Sequence, residues 1–184
     1  MLQSPQDAYR REFLGFGMFS VGPSCALFRT DAFRRLGGFI NTGASSDGVF
    51  WLRVCTTETV VLAPGNLFWY RVHAGQELQS LRAQRDYSKL SRLKWNALLS
   101  GECPLKGAEL EQAKQNCCAS IFKSMVSNVK AGRMSLAALE VCSLFIVDWL
   151  RYLRKPRRSL NAGSILEHDG EFVVPKERTI ELQA

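Results

Sequence analysis

Residues 22–56 read GPSCALFRTDAFRRLGGFINTGASSDGVFWLRVCT, and the order of apolar runs and breakers in this stretch decides the predicted fold of the first part of the chain. The apolar run at residues 24–29 is typical of a buried strand. Thr30 is placed to cap a short helix on which Phe33 and Leu36 share one face. The stretch therefore predicts a strand followed by a helix.

The pair Gly37-Gly38 ends this predicted helix, since glycine readily adopts the left-handed backbone that follows a helix C-terminus. A polar loop follows, and residues 47–55 are predicted to form a second helix. Two strands are predicted next, over residues 59–63 and 67–72, separated by a Pro-Gly-Asn turn. Strands and short helices thus alternate throughout this part of the chain.

Composition divides the chain into three segments. Residues 1–80 are rich in Gly, Phe and Trp, and they predict an α/β fold. Residues 81–155 have apolar side chains at intervals of three to four, and they predict an all-α region. The helices predicted there span residues 77–99, 107–130 and 135–154. The remaining residues, 156–184, are predicted to form a flexible tail.

Length and charge narrow the class of protein. The chain has 184 residues, 46% of them hydrophobic, which is enough for one globular domain and excludes global disorder. Lys and Arg number 24 against 17 Asp and Glu, so the net charge is +7. Residues 1–11 are polar and lack the apolar run of a secretory signal or membrane anchor. We therefore expect either a cytoplasmic location or a targeting signal elsewhere.

The six cysteines do not form a recognisable metal or disulfide pattern. No Cys-x-x-Cys pair occurs, and the chain has only two histidines, which are too few for a structural zinc cluster. We expect reduced, mostly buried thiols.

Basic residues concentrate in two places. Residues 82–94 hold five basic side chains against Asp86 alone, and residues 151–158 hold five basic side chains and no acid. Two solvated helix faces would explain these clusters, and so would an anionic partner. The predicted helix 135–154 is amphipathic, and a basic segment follows it, which is typical of peripheral attachment to the inner face of a membrane. Nucleic acid is disfavoured because no recognition motif is present.

Taken singly, the polar features of residues 37–73 have simple structural explanations. Gly37-Gly38-Phe39 is typical of a helix stop followed by an apolar plug. Asp47 is typical of a helix N-terminus. A histidine after a strand, such as His73, is more often hydrogen-bonded within the fold than a metal ligand.

Their order carries more information. The runs GPSCALFRTDAFRRLGGF, SSDGVFWLRV and LFWYRVHAGQELQS follow one another over about residues 15–80. This succession resembles the C-terminal, acceptor-side part of the catalytic domain in family 2 glycosyltransferases. The resemblance implies a GT-A fold and inverting transfer of a sugar from a nucleotide-sugar donor to an acceptor hydroxyl on a glycan or lipid.

The resemblance also implies roles for individual residues. Asp47 matches the carboxylate that acts as general base on the acceptor hydroxyl. Gly37, Gly38 and Phe39 match the loop beside the donor sugar and the acceptor. His73 matches a position that, in many metal-dependent members, helps hold the Mg²⁺ or Mn²⁺ ion on the donor diphosphate.

Three further side chains lie near these positions in sequence. Trp51 follows Asp47 by four residues, so the two share a helix face, and its ring is suited to stacking on a sugar or, as we favour, to packing in the core. Arg53 and Arg71 match basic positions of the family that we expect to form structural ion pairs.

Two departures from the family pattern affect the expected activity. Ser46 stands where members commonly have a second acid, and the chain contains no Asp-x-Asp, the motif that holds the metal in the donor half. We therefore expect a glycosyltransferase fragment that is inactive without an N-terminal donor half. The alternative is a non-catalytic module that associates with anionic membrane through the helix 135–154 and its basic trailer.

Overall fold

Helices form most of the secondary structure in this computed structural model, which describes residues 1–15, 17–19, 22–63, 73, 80–144 and 146–153. The helices are α1 (Pro5–Leu14), α2 (Thr30–Arg35), α3 (Ser46–Thr57), α4 (Leu81–Leu99), α5 (Gly107–Lys130), α6 (Met134–Val141) and α7 (Ile146–Leu153). Two short strands, β1 (Leu2–Gln3) and β2 (Val60–Val61), and two 3₁₀ turns, Pro23–Cys25 and Gly43–Ser45, complete the described elements.

The predicted α/β, GT-A-like fold of the first 80 residues is wrong. In the described residues, β1 and β2 form one antiparallel ladder in which Leu2 is opposite Val61. The predicted strand at 24–29 begins in the 3₁₀ turn and continues as unpaired extended chain, with Leu27 fully exposed. An apolar run forms a strand only where a neighbouring strand satisfies its backbone, and the described residues provide no such neighbour for this run. The predicted strand 67–72 lies outside the described residues.

Helix α1 was not predicted, although the residues at its start are a helix-capping signal. Ser4 accepts a hydrogen bond from the Asp7 amide at 3.2 Å, and Pro5 occupies the first turn, where its missing N–H costs nothing. The helix buries Tyr9, whose hydroxyl donates to the Leu52 carbonyl at 3.2 Å and lies 2.9 Å from the Thr56 hydroxyl. These contacts fasten α1 to α3, and burial raises the pKa of Tyr9 to about 12.

The hydrophobic core contains residues from both the 1–80 segment and the 81–155 segment. Its members come from α1, α3, α4, α5, the loops between them and the bend between α6 and α7. The largest side chains that are almost completely buried are Trp95, Tyr9, Phe50, Leu98 and Leu105. Four of the six free cysteines are also buried, as predicted, and Cys25 and Cys142 are exposed. The helices α3 and α4 therefore share one packed interior.

The predicted helix 135–154 is two helices rather than one. The chain turns at residues 142–144, where the Ser143 hydroxyl donates to the Leu139 carbonyl at 2.9 Å. The Trp149 indole N–H then reaches back to the Val141 carbonyl at 3.0 Å and satisfies an acceptor that the end of α6 leaves open. Trp149 also meets Phe122 edge-on at a centroid distance of 6.3 Å, which holds α7 against α5.

Glu140 places a buried carboxyl group between α6, α5 and α4. Its Oε1 accepts a hydrogen bond from the Ser124 hydroxyl at 2.9 Å, and the residue is 2% exposed. The hydroxyls of Ser88 and Ser91 also face the carboxyl group, although Oε2 has no hydrogen bond of good geometry. Burial raises the pKa of Glu140, and the serine hydroxyls oppose this shift only in part.

This buried group makes stability depend on pH. The folded state binds the Glu140 proton more tightly than the unfolded chain does. Glu140 therefore contributes most to the stability of the fold below its ordinary pKa of 4.5, and this contribution is lost as the pH rises through the raised pKa of the folded state. We expect Glu140→Gln to stabilise the protein relative to wild type at pH 8 more than at pH 5, as measured by urea unfolding. Glu102→Gln, at an exposed site, is the control. An equal difference at both pH values would contradict the prediction.

Candidate functional site

The glycine pair after α2 forms a complete helix stop. Gly37 and Gly38 have φ values of 74° and 59°, in the left-handed region that favours glycine. The Gly38 amide donates to the Phe33 carbonyl at 2.9 Å, and the Gly37 amide donates to the Arg34 carbonyl at 3.0 Å. These two bonds are the Schellman pattern, so the predicted stop at this position is confirmed.

Arg53 anchors this turn to α3. Its guanidinium donates through Nη1 to the Leu36 carbonyl and through Nη2 to the Gly38 carbonyl, so one planar group holds both ends of the glycine pair. The guanidinium carbon also lies 5.6 Å from the centre of the Phe50 ring. Both of these acceptors are backbone carbonyls, whereas the sequence had suggested an ion pair.

Phe39 continues from the turn into an aromatic cluster. Its ring centroid lies 5.0 Å from that of Phe50 and 5.3 Å from that of Phe33, yet 42% of the residue stays exposed. Trp51 lies deeper, stacked on Phe28 at 5.2 Å and 17°, and it is only 7% exposed. Phe39 thus presents an open aromatic surface beside the turn, whereas the Trp51 ring is occupied by its packing partners.

Asp47 lies in the first turn of α3 and is partly exposed. Its Oδ1 accepts a hydrogen bond from the amide of Gly48 at 2.7 Å. The preceding Ser46 hydroxyl donates to the Gly43 carbonyl at 2.7 Å and accepts from the Thr42 amide at 3.2 Å. The loop from the glycine turn to Asp47 is therefore held by its own hydrogen bonds.

Helix α4 supports the same loop from outside. Asp86 Oδ2 accepts a hydrogen bond from the Ala44 amide at 3.2 Å, and a Cβ atom at Gly43 would lie 2.0 Å from that oxygen. On the far side of Asp47, a Cβ atom at Gly48 would lie 2.7 Å from Leu90 Cδ2. A larger residue at either position would have to displace the Asp86 or Leu90 side chain, and at Gly43 it would also have to adopt a left-handed backbone, with φ of 74°.

Asp86 is a structural residue that the sequence reasoning did not assign. The Ala44 amide and the Lys89 ammonium, 3.1 Å away, lower the pKa of this carboxyl group. The available signal was its position as the single acid within the basic stretch 82–94. A lone acid in a basic helix indicates a specific contact, here with the loop that carries Asp47.

His73 is the one described residue of its segment, and it is exposed. The described residues contain no group of three or more His, Cys, Asp or Glu side chains placed to hold a metal ion. Arg71 and the basic residues at 154–158 lie outside the described residues. The structure thus brings Gly37, Gly38, Phe39 and Arg53 together, with Asp47 at the start of the helix that carries Arg53.

A second polar feature, absent from the sequence predictions, joins α1 to α4. The Glu12 side chain is only 4% exposed, and its Oε1 pairs with the Lys94 ammonium. Its Oε2 accepts from the amides of Met18 and Phe19 at 2.5 Å and 2.8 Å. A separation of 82 residues between Glu12 and Lys94 left no periodic signal for this pair in the sequence.

Comparison with known proteins identifies no relative of this chain. It matches no protein-family model, no curated protein and no solved structure.

Proposed function

We propose that this chain supplies the acceptor side of an inverting, family 2-like glycosyltransferase, with Asp47 as the general base. The observation that carries the proposal is the arrangement around α3. Arg53 holds the Gly37-Gly38 turn to the helix whose first turn bears Asp47. The glycine pair and Asp47 match the family pattern in residue type and order. Helix α3 links them, because it carries both Asp47 and the Arg53 side chain that holds the glycine turn.

The chemistry of Asp47 suits the proposed role. An acceptor hydroxyl that attacks an anomeric carbon must lose its proton as the new bond forms, and a positioned carboxylate accepts it. Asp47 is partly exposed, so a hydroxyl group can approach it from solvent. The half-exposed Phe39 ring offers a flat apolar surface for a sugar ring near the glycine turn.

The donor and its divalent metal ion belong elsewhere in this proposal. The sequence holds no Asp-x-Asp, and the described residues do not bring three metal ligands together. His73 alone does not make a site for Mg²⁺, which prefers several oxygen ligands. We propose that a donor-binding partner half supplies the carboxylates that hold Mg²⁺ or Mn²⁺ and the nucleotide sugar.

The test joins this chain to a donor-binding half that ends in Asp-x-Asp and measures the nucleoside diphosphate released from nucleotide sugars with Mn²⁺ and acceptor. We expect transfer that falls about 10²- to 10⁴-fold in Asp47→Asn, since that is the usual contribution of a general base. Asp31→Asn is the matched control, because Asp31 occupies the first turn of the neighbouring helix α2 and pairs with the exposed Arg29 and Arg35.

Two results would refute the proposal. One is transfer that Asp47→Asn leaves unchanged in the joined enzyme. The other is strong binding of a nucleotide sugar and Mn²⁺ by the isolated chain in calorimetry, because the proposal places both on the partner half.

A second candidate function is peripheral attachment to an anionic membrane. The described part of the chain has no helix with the length and apolar character needed to cross a bilayer. Exposed apolar side chains do occur on α6 and α7, where Val141 is 46%, Ile146 75% and Leu150 50% exposed. An apolar helix surface next to a basic segment favours binding at the interface of anionic lipid.

Vesicle co-sedimentation distinguishes this candidate. We expect binding to phosphatidylserine vesicles at low salt that is lost when Arg154, Lys155, Arg157 and Arg158 are replaced by glutamine. It should also weaken in Ile146→Ser, whereas Val129→Ser on α5 serves as the control for loss of an exposed apolar side chain. Absence of binding, or binding that both changes leave intact, would refute membrane attachment.

A further inference from the structure

A cleft of about 420 Å³ lies between α1, α4 and α5, and Asp47 is not among the residues that line it. The end of α1 and the glycines after it form one wall, and the facing surfaces of α4 and α5 form the others. This volume is within the usual range for small-molecule sites. The Leu90 side chain lines the cleft and also contacts Gly48. At this point one side chain separates the cleft from the start of α3.

The charge in the cleft wall is internally balanced. Glu12 and Lys94 both line the cleft and pair with each other, and both Glu12 oxygens are already engaged. The Lys94 side chain is 25% exposed, and an ammonium group has three N–H donors, of which Glu12 takes one. The wall thus offers hydrogen-bond donors without a net charge.

Hydroxyl groups and apolar surface complete the lining. Ser120 contributes an exposed hydroxyl from α5, which can both donate and accept, whereas the Ser91 hydroxyl on α4 is directed to the Glu140 carboxyl group. Phe13, Leu90 and Ile121 provide the apolar part. Burial raises the pKa of the Cys117 thiol to about 12, so this lining cysteine stays protonated and is a poor nucleophile.

We propose that this cleft binds a small neutral polyhydroxylated molecule, of the size of one or two sugar rings. An anion would gain little from an ammonium group that Glu12 already neutralises, and it would lie close to a fixed carboxylate. A purely apolar ligand would leave the remaining N–H donors of Lys94 and the Ser120 hydroxyl without water or a partner. A polyol suits both parts of the lining, because its hydroxyl groups can bind the polar side chains and its C–H faces can pack on the apolar ones. The proposal does not depend on transfer activity at Asp47.

The experiment uses the ¹⁵N-labelled full chain and follows amide chemical shifts during titration with methyl α-glucopyranoside and, separately, inorganic phosphate. We expect the glucoside, and not phosphate, to shift amides of residues that line the cleft. We expect Ser120→Leu, which removes a hydroxyl and fills space, to weaken glucoside binding about tenfold, the effect of one lost hydrogen bond.

Ser127→Leu is the matched control, because Ser127 lies seven residues later on α5, is exposed and is outside the cleft. It should bind the glucoside as wild type does. Three results would overturn the proposal: no cleft shifts with the glucoside, phosphate binding as strong as glucoside binding, or unchanged glucoside affinity in Ser120→Leu. Thermal melts of both variants exclude unfolding as the cause of lost binding, and Ser120→Ala provides a second test if Ser120→Leu does not fold.

Discussion

Glu12→Gln is expected to lower the free energy of unfolding by about 3 kcal/mol, which is the lower end of the usual cost of removing one partner from a buried ion pair. The Glu12 side chain is 4% exposed and joins Lys94 to the amides of Met18 and Phe19. A glutamine keeps one acceptor oxygen for these amides. Its other polar group is an NH₂ donor, which cannot satisfy the ammonium group of Lys94.

Urea unfolding at neutral pH measures this effect, and a double-mutant cycle assigns it to the pair. Lys94→Met keeps most of the apolar stem and removes the ammonium group, so Glu12 keeps its two amides but loses its counter-charge. We expect the loss in the double variant to be clearly smaller than the sum of the two single losses. Asp31→Asn, in an exposed ion pair with Arg29, should change stability little. Additive losses at positions 12 and 94 would show that no coupling exists.

Arg53→Met is expected to cost about 2 kcal/mol of stability, since it leaves two backbone carbonyls without the charged donor they share. The carbonyls are those of Leu36 and Gly38, at the two ends of the glycine turn. Arg53→Lys should recover less than half of the loss, because an ammonium group lacks the planar fork that reaches both acceptors.

Amide hydrogen exchange gives this prediction a local readout. The Gly38 amide donates to the Phe33 carbonyl, and we expect its exchange to accelerate in Arg53→Met more than that of amides in α5. Arg35→Met is the control, because Arg35 is exposed and contacts Glu58 rather than the turn. Equal acceleration throughout the chain would mean that Arg53 contributes only to global stability.

The sequence predictions agree with the structure where an element depends on residues close together in the chain, and they fail where it depends on distant ones. Helix α5 spans the predicted residues, and α4 ends at the predicted position, because apolar periodicity and capping act within a few residues. The predicted strand at 24–29 failed because a strand depends on a neighbour, which an apolar run does not specify. The helix predicted over 135–154 is interrupted at residues 142–144, and the Trp149 indole N–H, eight residues away, satisfies the Val141 carbonyl at this break.

The candidate site shows the same division. Gly37, Gly38 and Asp47 could be named from local sequence, since helix stops and helix starts depend on residue type. The roles of Asp86 and Leu90 could not, because both residues lie on α4, about 40 residues after the loop and helix start they contact. The Glu12–Lys94 pair and the cleft beside it belong with these long-range features.

The amino-acid sequence alone determines the bounds of α5, the end of α4, the left-handed turn at Gly37-Gly38, and that the thiols are mostly buried. Only the tertiary structure decides that the described part of the first 80 residues lacks the predicted sheet, that Arg53 holds the glycine turn, and that Asp86 supports the loop before Asp47. The physical reason is that backbone propensity is a property of neighbouring residues, whereas burial and charge pairing depend on which distant side chains share the interior.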